Sequence, residues 1–164
     1  MNIITLIGVD PGLVHTGVVA MHFDIVRRVY IVEYAIIRGD DVQSTLEAVE
    51  DFRTRTKNNH VYIEKYRGRA TNFKENADMI KLEIALHKEI PKAKLIDNTG
   101  VKKVITTELM KLLGVWDFPT TNHRDLQAAA RIALYGAAKD EELNTLLAGF
   151  TLSEVDGDPW LRLS

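Results

Sequence analysis

Three acidic residues stand where the sequence could bring them together for chemistry. Asp10 ends an apolar stretch typical of a buried strand, and Glu64 ends a second, shorter one over residues 60–64. Asp125 lies near the start of an alanine-rich segment typical of a helix. If the two strands are neighbours and the helix packs over them, the three carboxylates converge. Their charges would repel one another, so divalent cations are needed to keep all three ionised.

The donor atoms of such a centre are hard oxygens, which suit Mg²⁺, with Mn²⁺ able to replace it. Two of these ions about 4 Å apart can activate a water molecule and stabilise the leaving oxygen of a phosphodiester. The sequence therefore predicts a metal-dependent centre for phosphodiester hydrolysis.

Each acid also has a plainer structural explanation. Asp10 could cap its Asp-Pro-Gly turn, and Glu64 could pair with Lys65 at an exposed strand end. Asp125 would be favoured by the dipole of its helix, with Asn122 as the helix cap and Asp125 as its capping-box partner. These explanations stay open at the level of the sequence.

The elements that must position the acids follow from hydrophobic periodicity and turn residues. Strands are predicted over residues 3–10, 16–23, 26–37, 60–64 and 93–96. Helices are predicted over residues 42–56, 72–89, 101–113 and 122–138. Three successive strands favour an antiparallel meander, and the whole order predicts an α/β fold with a mixed five-stranded sheet flanked by helices. The alanines of the last helix indicate close packing against the sheet.

Length and composition are typical of a globular protein. The chain has 164 residues, 46% of them hydrophobic and 27% charged. We expect one domain over residues 1–164, with an acidic tail from about residue 140. The absence of cysteine excludes disulfides and thiolate zinc sites. Because neither a signal peptide nor a membrane span is recognisable, we expect a cytoplasmic protein that does not contact a membrane.

The charge distribution is uneven. The net charge of −2 does not by itself indicate a nucleic-acid-binding protein. Residues 50–111, however, contain 14 Lys and Arg against 9 Asp and Glu, a balance of +5. The middle of the chain could therefore present a basic face to a polyanion.

Five residues are candidates for contact with DNA. Tyr66, Arg67 and Arg69 directly follow the second acid, where the ring could stack on an unpaired base and the arginines could hold phosphates. Lys102 and Lys103 stand at a predicted helix start, whose N–H groups also attract phosphate. The alternative is that these are ordinary solvated charges.

Four segments, taken in order, resemble the motifs of the RuvC-type Holliday junction resolvases. They cover nearly the whole chain, and its compact length resembles phage-encoded members. The matching segments are residues 7–12 with Thr16-Gly17 behind them, 61–64, 101–104 and 122–133.

This resemblance implies an RNase H-like fold, a homodimer and Mg²⁺-dependent paired nicking of four-way DNA junctions. Asp10, Glu64 and Asp125 would be catalytic, metal-binding acids. The family usually has an Asp or His three residues before the last acid, and here that position is Asn122, a weaker neutral ligand. The neighbouring His123 points away at helical pitch and could instead carry a proton or bind phosphate.

Three alternatives remain. One is an RNase H-like nuclease that acts on RNA–DNA hybrids or on other branched DNA. Another is a non-catalytic junction-binding module, suggested by the neutral residue at position 122. The third is an actin-like or sugar-kinase ATPase, whose phosphate loop resembles residues 10–12 and 16–17, although this chain is too short for the two lobes of such an enzyme.

Overall fold

The computed structural model describes residues 2–68 and 72–163, which form a six-stranded mixed sheet with helices on both faces. The strands are β1 (Ile3–Asp10), β2 (His15–Asp24), β3 (Val29–Arg38), β4 (Asn59–Glu64), β5 (Lys94–Ile96) and β6 (Leu161–Leu163). The helices are α1 (Val42–Thr54), α2 (Phe73–Glu89), α3 (Val101–Val104), α4 (Thr107–Leu112), α5 (His123–Lys139) and α6 (Asn144–Val155). In this described part of the chain, no helix is both long enough and apolar enough to cross a membrane.

The strand order is β5-β4-β1-β2-β3-β6. The first three strands form the predicted antiparallel meander, in which Asp10 lies opposite Gly17. After α1, β4 returns in parallel beside β1, with Ile63 opposite Val9, and β5 continues in parallel beyond it. The predicted mixed α/β sheet is therefore confirmed, and the carboxyl ends of β1 and β4 meet at one edge of it.

The prediction of five strands is wrong, because a sixth strand forms near the end of the described chain. β6 pairs in parallel with β3, with Leu161 opposite Val29. All three of its residues are exposed, and a run of three residues is too short for its apolar–polar–apolar pattern to identify a strand in the sequence. It is held by the buried Trp160, whose ring lies 5.9 Å from that of Phe23 and 5.5 Å from that of Phe150. The formation of β6 therefore depends on aromatic packing between residues that are distant in the sequence.

The turn between β2 and β3 is longer than predicted, so β3 begins at Val29 instead of residue 26. The Asp24 carboxylate accepts hydrogen bonds from the backbone N–H groups of Val26 and Arg27. Arg28 then adopts a positive φ of 53° before the chain enters β3. The side-chain cap on the turn thus delays the start of the strand.

The prediction of one continuous helix over residues 101–113 is also wrong, because the segment is divided into α3 and α4. Thr106 is extended and its hydroxyl accepts a hydrogen bond from the N–H group of Leu109, which makes it the N-cap of a new helix. The carbonyl of Ile105 accepts a hydrogen bond from Arg131 on α5. The other three predicted helices begin and end within two residues of expectation.

The sheet separates two hydrophobic cores. Leu6 on β1 and Tyr62 on β4 face the core beneath α5, whereas their neighbours Ile7 and Val61 face the core beneath α1 and α2. All four are at most 3% exposed, so β1 and β4 are buried on both faces. This explains why they are continuous apolar runs that end on acids.

The approach of α5 to the sheet depends on two glycines. A side-chain carbon at Gly8 would lie 1.8 Å from the carbonyl oxygen of Ala129. One at Gly17 would lie 2.6 Å from the carbonyl oxygen of Asp125. The backbone of α5 therefore lies directly on β1 and β2, as its alanines indicated, and this contact fixes where its first turn sits.

Candidate active site

Asp10 and Glu64 meet at the carboxyl edge of the sheet. Each residue follows a paired position, since Val9 lies opposite Ile63 in the parallel β1–β4 pair. The Asp10 carboxyl group donates a hydrogen bond to the Glu64 carboxylate. Burial, followed by the charge of Glu64, this hydrogen bond and the charge of Asp125, raises the pKa of Asp10 to about 9. At neutral pH Asp10 therefore keeps its proton.

Asp125 approaches this pair from α5. It packs on Gly17, which lies directly opposite Asp10 in the sheet, and a side-chain carbon at Gly17 would lie 3.0 Å from the Asp125 Cβ. Burial raises the pKa of Asp125, while the nearby His15 opposes that rise. Asp125 is thus within electrostatic range of Asp10.

The three acids do not form a closed ligand cluster. Among residues 2–68 and 72–163, no group of three or more His, Cys, Asp or Glu side chains is gathered tightly enough to hold a metal ion. The arrangement is a tightly coupled Asp10–Glu64 pair, with the Asp125 charge at longer range.

Asn122 immediately precedes α5, three residues before Asp125. In the described structure its side chain accepts no capping hydrogen bond from the helix. The backbone N–H of Asp125 donates to the backbone carbonyl of Asn122 at 3.2 Å. The capping-box explanation of these two residues is therefore wrong, and the assignment of Asn122 as a metal ligand stays a prediction. His123 and Arg124 are exposed beside it.

Tyr66 and Arg67 line a cleft of about 200 Å³ together with Asp10 and Glu64. The hydroxyl of Tyr66 donates to the Asn76 side chain at 2.6 Å. Arg67 forms an ion pair with Asp97. The third candidate of this loop, Arg69, lies outside the described residues.

Lys102 and Lys103 lie in α3, where they line a second cleft of about 400 Å³. Glu64 and Asn98 line both this cleft and the one that contains Asp10. The structure therefore places both lysines next to the acidic pair, although some 40 residues separate them from Glu64 in the sequence.

No protein-family model matches this sequence, and no curated protein matches it. Among solved structures, the chain is similar to T. thermophilus RuvC in complex with Holliday junction substrate. That similarity covers 79% of this chain and 90% of the other, at 13% identity and a TM-score of 0.58. The chain has the RNase H-like fold. The resemblance inferred from four sequence segments is thus confirmed at the level of the fold.

Two further structures are similar at lower scores. The Fowlpox virus resolvase in complex with substrate Holliday junction DNA shares 17% identity over 88% of this chain and 99% of its own, with a TM-score of 0.47. The nuclease domain of the large terminase g2p from bacteriophage SPP1, solved with bound Mn, shares 14% identity over 81% of this chain and 86% of its own, with a TM-score of 0.38.

Sequence reasoning missed Asn98 as a neighbour of the acidic pair. Its side-chain amide donates a 2.6 Å hydrogen bond to the Glu64 carboxylate. The signal lay in the pairing of β4 with β5, which sets Glu64 opposite Ile96. A residue just beyond the end of β5 therefore lies beside Glu64.

His15 is a second residue that sequence reasoning missed. It is the first residue of β2 and lies two positions before Gly17, so both side-chain positions face the same side of the sheet. Its charge lowers the pKa of Asp125, against the effect of burial. The period of two along β2 was the signal that could have identified it.

The residues present fit a divalent cation at the carboxyl edge of this RNase H-like sheet. Asp10 and Glu64 are both half-buried at this edge, and Asp10 keeps a proton at neutral pH. A cation could replace that proton, because Mg²⁺ is commonly bound by one or two carboxylates together with water and substrate phosphate.

Proposed function

We propose that the protein is a metal-dependent, structure-selective endodeoxyribonuclease that resolves four-way DNA junctions by paired nicking. The observation that carries this proposal is the half-buried Asp10–Glu64 pair at the carboxyl edge of the sheet, with Asp125 in electrostatic range. The fold adds support, since the similar T. thermophilus RuvC is described in complex with a Holliday junction substrate.

The proposed cofactor is Mg²⁺, with Mn²⁺ able to substitute. Asp10, Glu64 and Asp125 would hold it, and Asn122 would be a further neutral ligand. The bound ion would supply a Lewis acid and an activated water for hydrolysis of the phosphodiester. For this, Asp10 must release its proton, so metal binding competes with protonation of Asp10.

The DNA contacts in this proposal come from two segments beside the acids. Tyr66, Arg67 and Arg69 would lie at the junction, and Lys102 and Lys103 would bind phosphates on the other side of Glu64. Arg67 must then exchange its ion pair with Asp97 for a phosphate. That exchange replaces one charge-assisted contact with another.

Paired nicking needs two active sites, and we propose a homodimer of this single nuclease domain. α2 supports it as the interface, because Phe73, Ile80 and Ile84 are 87%, 48% and 58% exposed. Their spacing of seven and four residues places them along one stripe of the helix. Such a stripe is costly in water and suits a second copy of the same helix. A cytoplasmic location belongs to the same proposal.

The experiment is a nicking assay on a synthetic four-way junction with Mg²⁺, Mn²⁺ or EDTA. We expect symmetrical nicks with either metal, none in EDTA, and none from Asp10→Asn, which should still bind the junction. Circular dichroism of the variant controls for folding. An RNA–DNA hybrid and a linear duplex serve as alternative substrates. Cleavage of the hybrid faster than the junction would identify the hybrid as the preferred substrate and overturn the proposed junction specificity.

A second candidate is a non-catalytic junction-binding module. It is favoured by the neutral Asn122 and by the absence of a three-ligand cluster within the described residues. Tight junction binding without nicking, in both metals and over a range of pH, would support this candidate and overturn the nuclease.

A further inference from the structure

The cleft at the acidic pair is the first of three neighbouring clefts. Glu64 and Asn98 line both the cleft of about 200 Å³ that contains Asp10 and the next one, of about 400 Å³. Lys102 and Arg131 in turn line both that second cleft and a third, of about 750 Å³. Consecutive clefts therefore share lining residues, and we call this row of three neighbouring clefts the groove.

We call this third part the Trp116 cleft. The side chains that matter for its chemistry are Lys102, Trp116, His123, Arg124, Gln127 and Arg131. Its volume falls within the roughly 300–1,000 Å³ of sites that hold small ligands. It is therefore large enough to take one nucleotide unit of a longer strand.

The Trp116 cleft is cationic. Lys102, Arg124 and Arg131 line it, against one carboxylate, Asp117, among the described residues of its wall. Arg131 is 8% exposed, and its guanidinium donates to the carbonyl of Ile105 at 3.0 Å. This charge is consequently fixed in the wall, and a fixed cation attracts phosphate without first having to be ordered.

The cleft also contains an aromatic ring. Trp116 is partly exposed, and its backbone carbonyl accepts a 2.9 Å hydrogen bond from the Gln127 amide. The guanidinium carbon of Arg131 lies 5.7 Å from the ring centroid, and the ammonium nitrogen of Lys111 lies 5.9 Å from it. An indole held among cations is the combination that single-stranded nucleic acid uses, with stacking for the base and cations for the phosphate.

We propose that the Trp116 cleft binds one nucleotide of the DNA strand that runs from the acidic centre, with its base on Trp116 and its phosphate on Lys102 and Arg124. The inference rests on the proposed nuclease function and deepens it. It assigns a nucleotide subsite to Trp116, which lies outside the four sequence segments, and adds Arg124 to the proposed DNA contacts. A base held in this subsite would fix the register of the strand relative to the acids.

Tryptophan fluorescence tests the proposal directly, because the protein has two tryptophans, Trp116 and Trp160. Trp160 is buried among aromatic rings, so Trp160→Phe leaves Trp116 as the reporter. We expect a short oligodeoxythymidylate, added in EDTA, to quench wild type and Trp160→Phe saturably and to leave Trp116→Phe unchanged. Equal quenching in Trp116→Phe, or none in wild type, would overturn the proposal. The wild-type and Trp116→Phe comparison decides the matter if Trp160→Phe is unstable.

Affinity measurements give a second readout. Trp116→Ala should weaken binding of the labelled oligonucleotide by roughly 5- to 150-fold, the range expected for loss of one base–aromatic stack. Arg124→Ala should weaken it as well. Arg55→Ala removes the same charge from an exposed position outside the groove and should leave affinity unchanged. An equal loss of affinity in Arg55→Ala and Arg124→Ala would show that only the net charge of the protein matters, and it would overturn the subsite.

The outcomes separate this inference from the nuclease proposal. If nicking depends on Asp10 but the Trp116→Ala variant binds the oligonucleotide with unaltered affinity, only the subsite proposal is refuted. If the oligonucleotide quenches Trp116 in a protein that nicks no junction, the nuclease proposal is refuted and the nucleotide subsite is supported. Inorganic phosphate is the remaining probe. If phosphate alone reproduces the full quenching and displaces the oligonucleotide, the cleft is an anion site and the nucleotide assignment fails.

Discussion

The side-chain amide of Asn98 donates a 2.6 Å hydrogen bond to the carboxylate of Glu64. Asn98 follows β5, and Glu64 ends β4, so the parallel pairing of these strands brings the two residues together. On the same loop, Asp97 accepts hydrogen bonds from the backbone and the hydroxyl of Thr99 and pairs with Arg67. One short loop therefore holds a proposed catalytic acid through Asn98 and pairs with a proposed DNA contact through Asp97.

Replacing Asn98 should impair catalysis more than binding. Because Asn98 holds the Glu64 carboxylate, we expect Asn98→Ala to lower junction cleavage by roughly 10- to 100-fold and to raise the metal concentration needed for half-maximal rate. Asn98→Asp should be worse, since it sets a second negative charge beside Glu64. The measurements are kcat, KM and a metal titration. Asn144→Ala, at an exposed position on α6, is the matched control. A change in KM alone would contradict the positioning role.

The raised pKa of Asp10 predicts how stability depends on pH. Asp10 ionises near pH 4 in the unfolded chain. In the folded protein burial and Glu64 raise the pKa of Asp10 to about 9. Between these values the folded state binds more protons, so its contribution to stability is complete below about pH 4 and is lost as pH rises through 9. Asp10→Asn should therefore gain in Tm over wild type, in EDTA, as pH rises from about 5 to about 8.

Calorimetry over that pH range checks this expectation, with Asp51→Asn as an exposed control that removes the same charge. Adding Mg²⁺ should raise the Tm of wild type most at the higher pH, because ionised carboxylates bind the ion and the unfolded chain does not. The increase should be smaller in Asp10→Asn. A difference in Tm between variant and wild type that is the same at every pH would show that Asp10 does not keep a proton at neutral pH.

Side chains added at the α5 contact should lower stability. Gly8→Ala forces a carbon to within 1.8 Å of a backbone oxygen of α5, so the helix must move away from β1. We expect a loss of at least about 1–3 kcal/mol in the free energy of unfolding. Gly17→Ala should also displace Asp125 and so reduce cleavage in molecules that remain folded.

Denaturant unfolding measures the first effect. Gly149→Ala is the control, because its added carbon would meet no heavy atom within 4 Å in the described structure. That change lies inside α6 and should stabilise by roughly 0.5–1 kcal/mol, owing to the better helix propensity of alanine. Equal stability changes for Gly8→Ala and Gly149→Ala would contradict the close contact between the backbone of α5 and β1.

Asp97 should compete with DNA for Arg67. The two side chains are ion-paired, so Asp97→Asn removes the competing charge and should tighten junction binding severalfold at low salt. Arg67→Ala should weaken binding, and the double variant should resemble Arg67→Ala. Gel-shift titrations at two salt concentrations measure this. Weaker binding by Asp97→Asn would show that Asp97 orders the arginine for DNA instead of competing for it.

Much of this arrangement follows from local sequence. Residues 3–10 and 60–64 are continuous apolar runs, and such runs are strands because they are buried on both faces. The acids at the ends of these runs, and Asp125 in the first turn of α5, could be identified as candidates because each stands at a recognisable end of a predicted element. Hydrophobic periodicity, turn residues and helix caps depend on residues that are close together in the chain, so these features can be recognised from the sequence alone.

Other features exist through contacts between distant parts of the chain. β6 forms because Trp160 packs on Phe23 and Phe150, and the break between α3 and α4 coincides with a hydrogen bond from Arg131. The sequence by itself determined the elements and the three candidate acids, whose signals are local. The tertiary structure decided that Asp10 lies beside Glu64 and keeps a proton, that Asn98 holds Glu64, and that a cationic cleft forms at Trp116. These depend on which strands and helices become neighbours, and that is set by the packing of the whole sheet.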